Sequence, residues 1–394
     1  MYARTQMIKV LELHRGYDLP EKDRHEGTVP VISSAGYSGS HDQYKCDGEN
    51  VITGRYGTIG EVFYHKGKCW PLNTALYVSN FKGNYPRYVY YLLKYVLKSA
   101  TDGKDKSTVP GVDRNVLHQM NIPFCEGIRV QKEMVRILVD IDKKIETNIK
   151  INDNLAQQLR LLYDYWFTQF DFPDENGKPY RSSGGQMVWN KGLKRKIPES
   201  WRVVPLGEVS SFRNGINYDK NTSGDTTYHI VNVRNISSSS ILLDERELDE
   251  ICLPCAQTEK YLVSNESILI ARSGIPGAPR ILYNPSEDII FCGFIICATP
   301  VDSILQPYLM LFLKQLEGST ATQTGGSILK NVSQDTLRDL LVPIPPKDIL
   351  THFNQRVALI YEFMHNNLEE TSKLQNLRDW LLPMLMNGQA TISD

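Results

Sequence analysis

The residues of this chain best suited to chemistry fall in a few short stretches. Cys252-Leu-Pro-Cys255 has the CxxC spacing of zinc ligation or dithiol redox chemistry, but no second CxxC and no His pair accompanies it. Asn121-Ile-Pro-Phe124 is similar to the Asn-Pro-Pro-aromatic loop that holds a flipped base in amino-methyltransferases. The second-position Pro is absent, however, and no Gly-rich cofactor loop follows a strand upstream. The same place in the other half of the chain reads Leu341-Val-Pro-Ile344, without Asn or aromatic, which marks a domain exit. Pro173-Asp-Glu-Asn-Gly-Lys178 resembles a nuclease Pro-Asp fragment, yet it lies in a connector with no sheet to hold metal ligands. No P-loop, no His-Glu-x-x-His and no Ser-His-Asp grouping stands out. The expectation is therefore no catalytic residue, no metal and no cofactor.

Binding chemistry is better represented. Arg55-Tyr56-Gly57 and Arg272-Ser273-Gly274 each follow an apolar β-rich run, which places each Arg at a strand end entering a tight turn. Arg can bond a phosphate or chelate guanine O6 and N7. Because it recurs in both halves, a phosphate or structural role is expected over base reading. Tyr56 and Ser273, which differ, are the candidate readers, with Thr58 in the same turn. Further candidates occupy polar, basic or Gly-rich loops: Lys104, Lys106 and Arg114 in the first half, Asn217, Lys220, Lys330 and Asn331 in the second. The loops GKDKST and TQTGGS should be mobile until a ligand orders them. Ser237 to Ser240 read as a turn.

Composition bounds the setting. A net charge of −1 argues against a nonspecific polyelectrolyte clamp and leaves room for local basic surfaces. Hydrophobic content of 41% and charged content of 23% are those of a soluble globular protein. Seven scattered cysteines and no secretory leader point to reduced thiols in a cytoplasm. The apolar run Phe291 to Ala298 is too short for a bilayer and predicts one buried strand.

The elements that must position these residues occur twice. Met7 to Asp18 resembles Leu206 to Asp219, with two residues inserted before the Tyr-Asp. Asn50 to Gly60 matches Ser267 to Gly277, and Tyr85 to Val96 parallels Gln306 to Leu316 as a Pro-started helix. Ser107 to Pro123 parallels Ser327 to Pro343. The lead Ile197 to Pro205 has no counterpart before Met7, so the first domain is expected to be slightly truncated or completed by the C-terminal tail.

After each repeat comes a long helical segment with a heptad seam. The first runs Met134, Leu138, Ile141, Ile145, Asn148, Asn152, Leu155, Leu159, Leu162, Trp166; the second runs Phe353, Val357, Ile360, Met364, Asn367, Thr371, Leu374, Arg378, Leu381. Asn148 and Asn152 in one, and Asn367 and Thr371 in the other, give each seam a polar centre. Buried amides cost stability unless they meet polar partners, so they fix register. Antiparallel packing is expected because it makes the repeats two-fold related and places a domain at each end of the pair. A helix near 40 residues is about 60 Å long, against roughly 34 Å for one turn of duplex DNA.

The fold class is thus α/β (α+β), a tandem duplication. Two α/β domains, residues 1–127 and 201–346, precede long helices over 128–170 and 347–390, with a connector over 171–200 and the helices packed as an antiparallel coiled coil. The chain resembles the specificity subunit of a Type I restriction–modification enzyme. The resemblance rests on the doubled Arg-x-Gly runs, on Ile141 to Phe167, on Phe170 to Trp189, on Ile197 to Val209 and on Leu381 to Gln389, in this order. It implies that the two are target-recognition domains, each reading one half of a split double-stranded DNA sequence. It implies also that the helices are spacers docking two methyltransferase subunits acting on adenine, that restriction (motor-nuclease) subunits join them, and that this subunit is not itself catalytic. A coiled-coil scaffold without DNA readout and an adenine methyltransferase are the alternative readings.

Overall fold

The computed structural model describes residues 2–55, 60–102, 113–218, 224–317 and 332–390. It divides into two compact units, Met1–Ile145 with Lys373–Asp394, and Glu146–Ser372. Each contains the same three sheets, and the second adds an antiparallel pair, Met187–Asn190 with Arg195–Pro198, inside the segment expected to be a connector without a sheet.

In the first unit Tyr2–Gln6 pairs antiparallel with Asn121–Cys125. A four-stranded antiparallel sheet runs in the order Glu12–Arg15, Ala75–Asn80, Glu49–Gly54, Val62–Lys66. A three-stranded sheet places Val29–Ser33 between Gly36–His41 and, in parallel, Trp70–Pro71. The second unit repeats this with Arg202–Pro205 on Leu341–Ile344, then Ser210–Asn214, Ile295–Pro300, Ile268–Ala271, Pro279–Arg280, then Asp249–Leu253, Thr226–Val231, Ile289–Phe291. Ile268–Ala271 is buried along its whole length. It takes a continuous apolar run because neighbours cover both of its faces. The helices Pro86–Asp102 and Gln306–Leu316 pack on these sheets and bury Tyr88, Tyr91, Leu92 and Tyr308, Leu309, Met310 respectively.

Four further sequence expectations change. Tyr2–Gln6 makes the ladder that Arg202–Pro205 makes in the other unit, so that part of the lead does have a counterpart. Gly16 and Gly215 both donate to the residue that opens the strand Ala75–Asn80 or Ile295–Pro300, at 3.0 Å each. Tyr17 bridges Leu72 as Ile216 bridges Cys292. The two repeats therefore align without insertion, Tyr17 with Ile216. Finally, Phe291 to Ala298 is not one strand. Ile289–Phe291 ends, the chain turns through Cys292 to Phe294, and Ile295–Pro300 begins in another sheet. The serine run also differs from expectation: Ser237 and Ser238 close the short helix Val233–Ser238.

The two long helices are Ile128–Tyr163, continued by the π-helical turn Asp164–Thr168, and Lys347–Met386. Their seam residues are buried or half-buried. In the second unit Asn148 Nδ2 donates to Glu370 Oε2 at 2.9 Å and to Thr371 Oγ1 at 3.4 Å. Asn367 Nδ2 donates to Asn152 Oδ1 at 2.8 Å, and Asn152 Nδ2 to the Met364 carbonyl at 3.0 Å. Rising numbers on one helix meet falling numbers on the other, so the helices are antiparallel. The first unit obeys the same rule, with Arg378 on Asp142 at 3.0 Å. There Leu382, Leu385 and Met386 enter the core beside Met7, Val10 and Leu138. The end of the second long helix thus completes the core of the first unit. Gly388, at φ +71°, terminates it, and Gln389 N–H returns to the Met384 carbonyl.

Candidate nucleic-acid interface

In the second unit the buried strand Ile268–Ala271 delivers the chain to Arg272 at the rim of the sheet. Ala271 and Gly277 close a short loop by backbone bonds, and Gly274 takes φ +75°, a conformation suited to glycine. Arg272 then clamps the neighbouring turn. Its N–H donates to the Phe294 carbonyl at 2.9 Å, and its Nη1 to the Gly293 carbonyl at 3.2 Å. Gly293 N–H bonds the Ile216 carbonyl at 2.8 Å, and a Cβ on Gly293 would collide with the Asn217 side-chain oxygen. Arg272, Asn217, Gly293 and Phe294 are thereby gathered at one corner. Ser273 and Asn217 are exposed, and Phe294 is 64% exposed.

The first unit builds the same corner from other side chains. Arg55 follows Glu49–Gly54, and its N–H donates to the Thr74 carbonyl at 3.0 Å. Asn73 N–H bonds the Tyr17 carbonyl, and Asn73 Nδ2 donates to Asp18. Thr74 Oγ1 accepts from Ser34 N–H at 3.4 Å. Arg114 belongs to a different element, the first residue of the short helix Arg114–Gln119, whose N-cap Asp113 accepts from Asn115 N–H. Burial, reinforced by Arg114, pushes the His118 imidazole below its ordinary pKa. The neutral ring suits its task, since Nε2 accepts from Leu13 N–H at 2.9 Å. Tyr56, Thr58, Lys104, Lys106, Lys220, Lys330 and Asn331 lie outside the described residues.

The other stretches singled out by chemistry have structural occupations. Asn121 stands opposite Gln6 in a ladder. The Asp174 carboxylate accepts from Asn176 and Lys178 N–H and so closes its own turn. Cys252 and Cys255 are both exposed and reduced. Among the described residues, His25, His41 and Asp42 bring ligand atoms within 4.8 Å of one another. His41 Nδ1 already accepts from His25 N–H at 3.0 Å, so this is a hydrogen-bonded corner. Phe294 is the functional candidate that sequence reasoning missed. Gly293, which interrupts the apolar run, was the available signal.

A duplicated α+β frame, with the same turn held by the backbone N–H of Arg55 in one copy and of Arg272 in the other and a long helix after each, defines a protein of two like recognition domains in tandem. The chain matches the family described as Type I restriction modification DNA specificity domain over residues 8–157 and again over 198–377, and it belongs to that family. It is 22% identical over 312 residues to the Type I restriction enzyme MjaIX specificity subunit of Methanocaldococcus jannaschii, spanning 78% of this chain and 69% of that one. It is also 22% identical over 325 residues to the HindI specificity subunit of Haemophilus influenzae, over 68% of each. The fold is similar to the crystal structure of the Type-I restriction-modification system S subunit from M. genitalium. The TM-score is 0.53 at 16% identity, covering 98% of this chain and 96% of that one.

Proposed function

We propose that this chain is the DNA-reading specificity subunit of a Type I restriction–modification system. Each unit reads one half of a split double-stranded sequence, and the paired helices dock two methyltransferase subunits and, for restriction, the motor-nuclease subunits. The chain itself supplies recognition and no catalysis, and it works in the cytoplasm. No helix among the described residues is long and apolar enough to cross a membrane, which fits that setting.

The observation that carries the reading is the repeated corner. Arg55 and Arg272 hold the same backbone turn, while the positions around them differ, exposed Asp18 and half-buried Thr74 in one copy and exposed Asn217 and Phe294 in the other. One mount with two sets of side chains suits two different half-sites, because phosphate contacts and backbone position the protein while base-edge contacts specify sequence. Methylome sequencing of a host expressing the chain with its partner subunits should show one split adenine-methylated motif. Replacing residues 1–125 by the equivalent region of a relative should change one half only. Absence of a split motif, or a change in both halves together, would sink the proposal.

A further inference from the structure

We propose that Phe294 is a specificity-determining residue of the second unit, reading the C5-methyl group of a thymine in its half-site. The inference rests on the DNA-reading function proposed above. A base reader must be exposed, must stand on a rigid mount, and must differ between copies that read different sequences.

Phe294 meets all three conditions. Its ring is 64% exposed, whereas Phe291 and Ile295 on either side are fully buried. Its backbone is held by Arg272 N–H on its own carbonyl at 2.9 Å and by Arg272 Nη1 on the preceding carbonyl at 3.2 Å. Ile295 N–H bonds the Cys292 carbonyl at 2.9 Å and closes the turn beneath it. The equivalent corner of the first unit carries Thr74, whose carbonyl accepts from Arg55 N–H at 3.0 Å and whose hydroxyl accepts from Ser34. One copy thus carries a half-buried, small polar side chain and the other an exposed aromatic ring.

An exposed ring contributes little to the stability of its own fold. Its neighbours Asn217 and Ser273 are polar and exposed, as base-edge hydrogen bonding requires. The thymine methyl is the one apolar group among the major-groove base edges, and apolar side chains, Phe among them, recognise it.

The test uses the chain assembled with its methyltransferase subunits and a duplex carrying the methylation motif, at fixed salt. Deoxyuridine is substituted in turn for each thymine, on either strand, of the half-site assigned to the second unit. The wild type should lose about four-fold in affinity at one position, the worth of one buried methyl group. Phe294→Ala should lose affinity for the thymine duplex and show no further loss with deoxyuridine there. Phe294→Leu should keep the methyl sensitivity, and the first half-site should be unaffected throughout. Wild-type indifference to every substitution would overturn the proposal, as would undiminished sensitivity in Phe294→Ala. A loss spread evenly over both half-sites would do the same, marking the ring as a partner-protein contact. A wild-type complex with no split motif would instead remove the function on which the inference rests.

Discussion

The first unit closes its core with flexible aliphatic side chains, Leu382, Leu385 and Met386, while the second closes its own with an aromatic cluster. In the second, Phe167 meets Phe353 at 4.6 Å between centroids, Tyr308 at 4.8 Å and Trp201 at 5.9 Å. Both closures come from the end of a long helix, so their place in the fold is the same. A further contrast lies inside the sheets. Phe63 stands opposite Ile52 in the first unit, and Arg280 stands opposite Leu269 at the same register of the second. Arg280 is buried and holds Glu317 through two bonds at 2.9 and 3.0 Å, with Lys314 adding a third. Duplication thus preserved the backbone ladder, while the side chains that fill it diverged to whatever packs locally.

The largest expected effect comes from emptying the aromatic closure. Phe167→Ala should cost about 4 kcal/mol, because a large buried ring leaves a cavity its neighbours cannot fill. Leu385→Ala in the first unit should cost about 2–3 kcal/mol, since aliphatic neighbours relax into the space. Urea unfolding of both variants checks the order, and equal losses would show that the two closures are equivalent.

Next in size is the buried ion pair. Arg280→Met should cost about 3 kcal/mol by leaving a desolvated Glu317 without its main partner. Burial pushes the Glu317 carboxyl up, but the bonds from Arg280 and Lys314 outweigh it and hold the pKa below the ordinary value of 4.5. A depressed folded pKa means that this stabilisation is present above pH 4.5 and is lost as pH falls through the folded value. Urea midpoints from pH 7 down to 3 should fall steeply in the wild type and less steeply in Arg280→Met. Phe63→Leu should leave that pH profile unchanged.

A smaller effect should separate the two seam asparagines. Asn152→Leu strips Asn367 Nδ2 and the Met364 carbonyl of their partner and should cost about 1–3 kcal/mol. Asn148→Leu removes a buried Oδ1 that has no hydrogen-bond partner among the described residues, and it releases only exposed Glu370 and half-buried Thr371, which water can serve, so it should be neutral or stabilising by about 1 kcal/mol. Thermal melts decide it; opposite signs are the expected result. The smallest effect belongs to the CxxC. Cys252→Ser with Cys255→Ser should change stability by less than about 0.5 kcal/mol and leave metal content unaltered by elemental analysis.

Much of this architecture was legible in the chain. Arg55 and Arg272 were found at strand ends because a β-rich run followed by Arg-x-Gly is a local signal. The helices were readable because their apolar residues recur every three or four positions. What escaped was nonlocal. Tyr2–Gln6 has no distinguishing pattern until Asn121–Cys125 lies beside it. Phe294 read as core because six of the other seven residues of the run Phe291 to Ala298 are apolar, and only the turn at Gly293 turns its ring to solvent.

The sequence by itself determined the duplication, the strand-end arginines and the heptad seam, since each is written in residues within a few positions of one another. Tertiary structure alone decided that Asn152 meets Asn367, that Leu385 closes the first core, and that Arg272 serves the turn of Phe294. Those choices depend on which distant segments meet, and a segment's own periodicity carries no label for its partner. Loop closure over long stretches is nearly indifferent to length, so only complementary packing at the contact selects the pair.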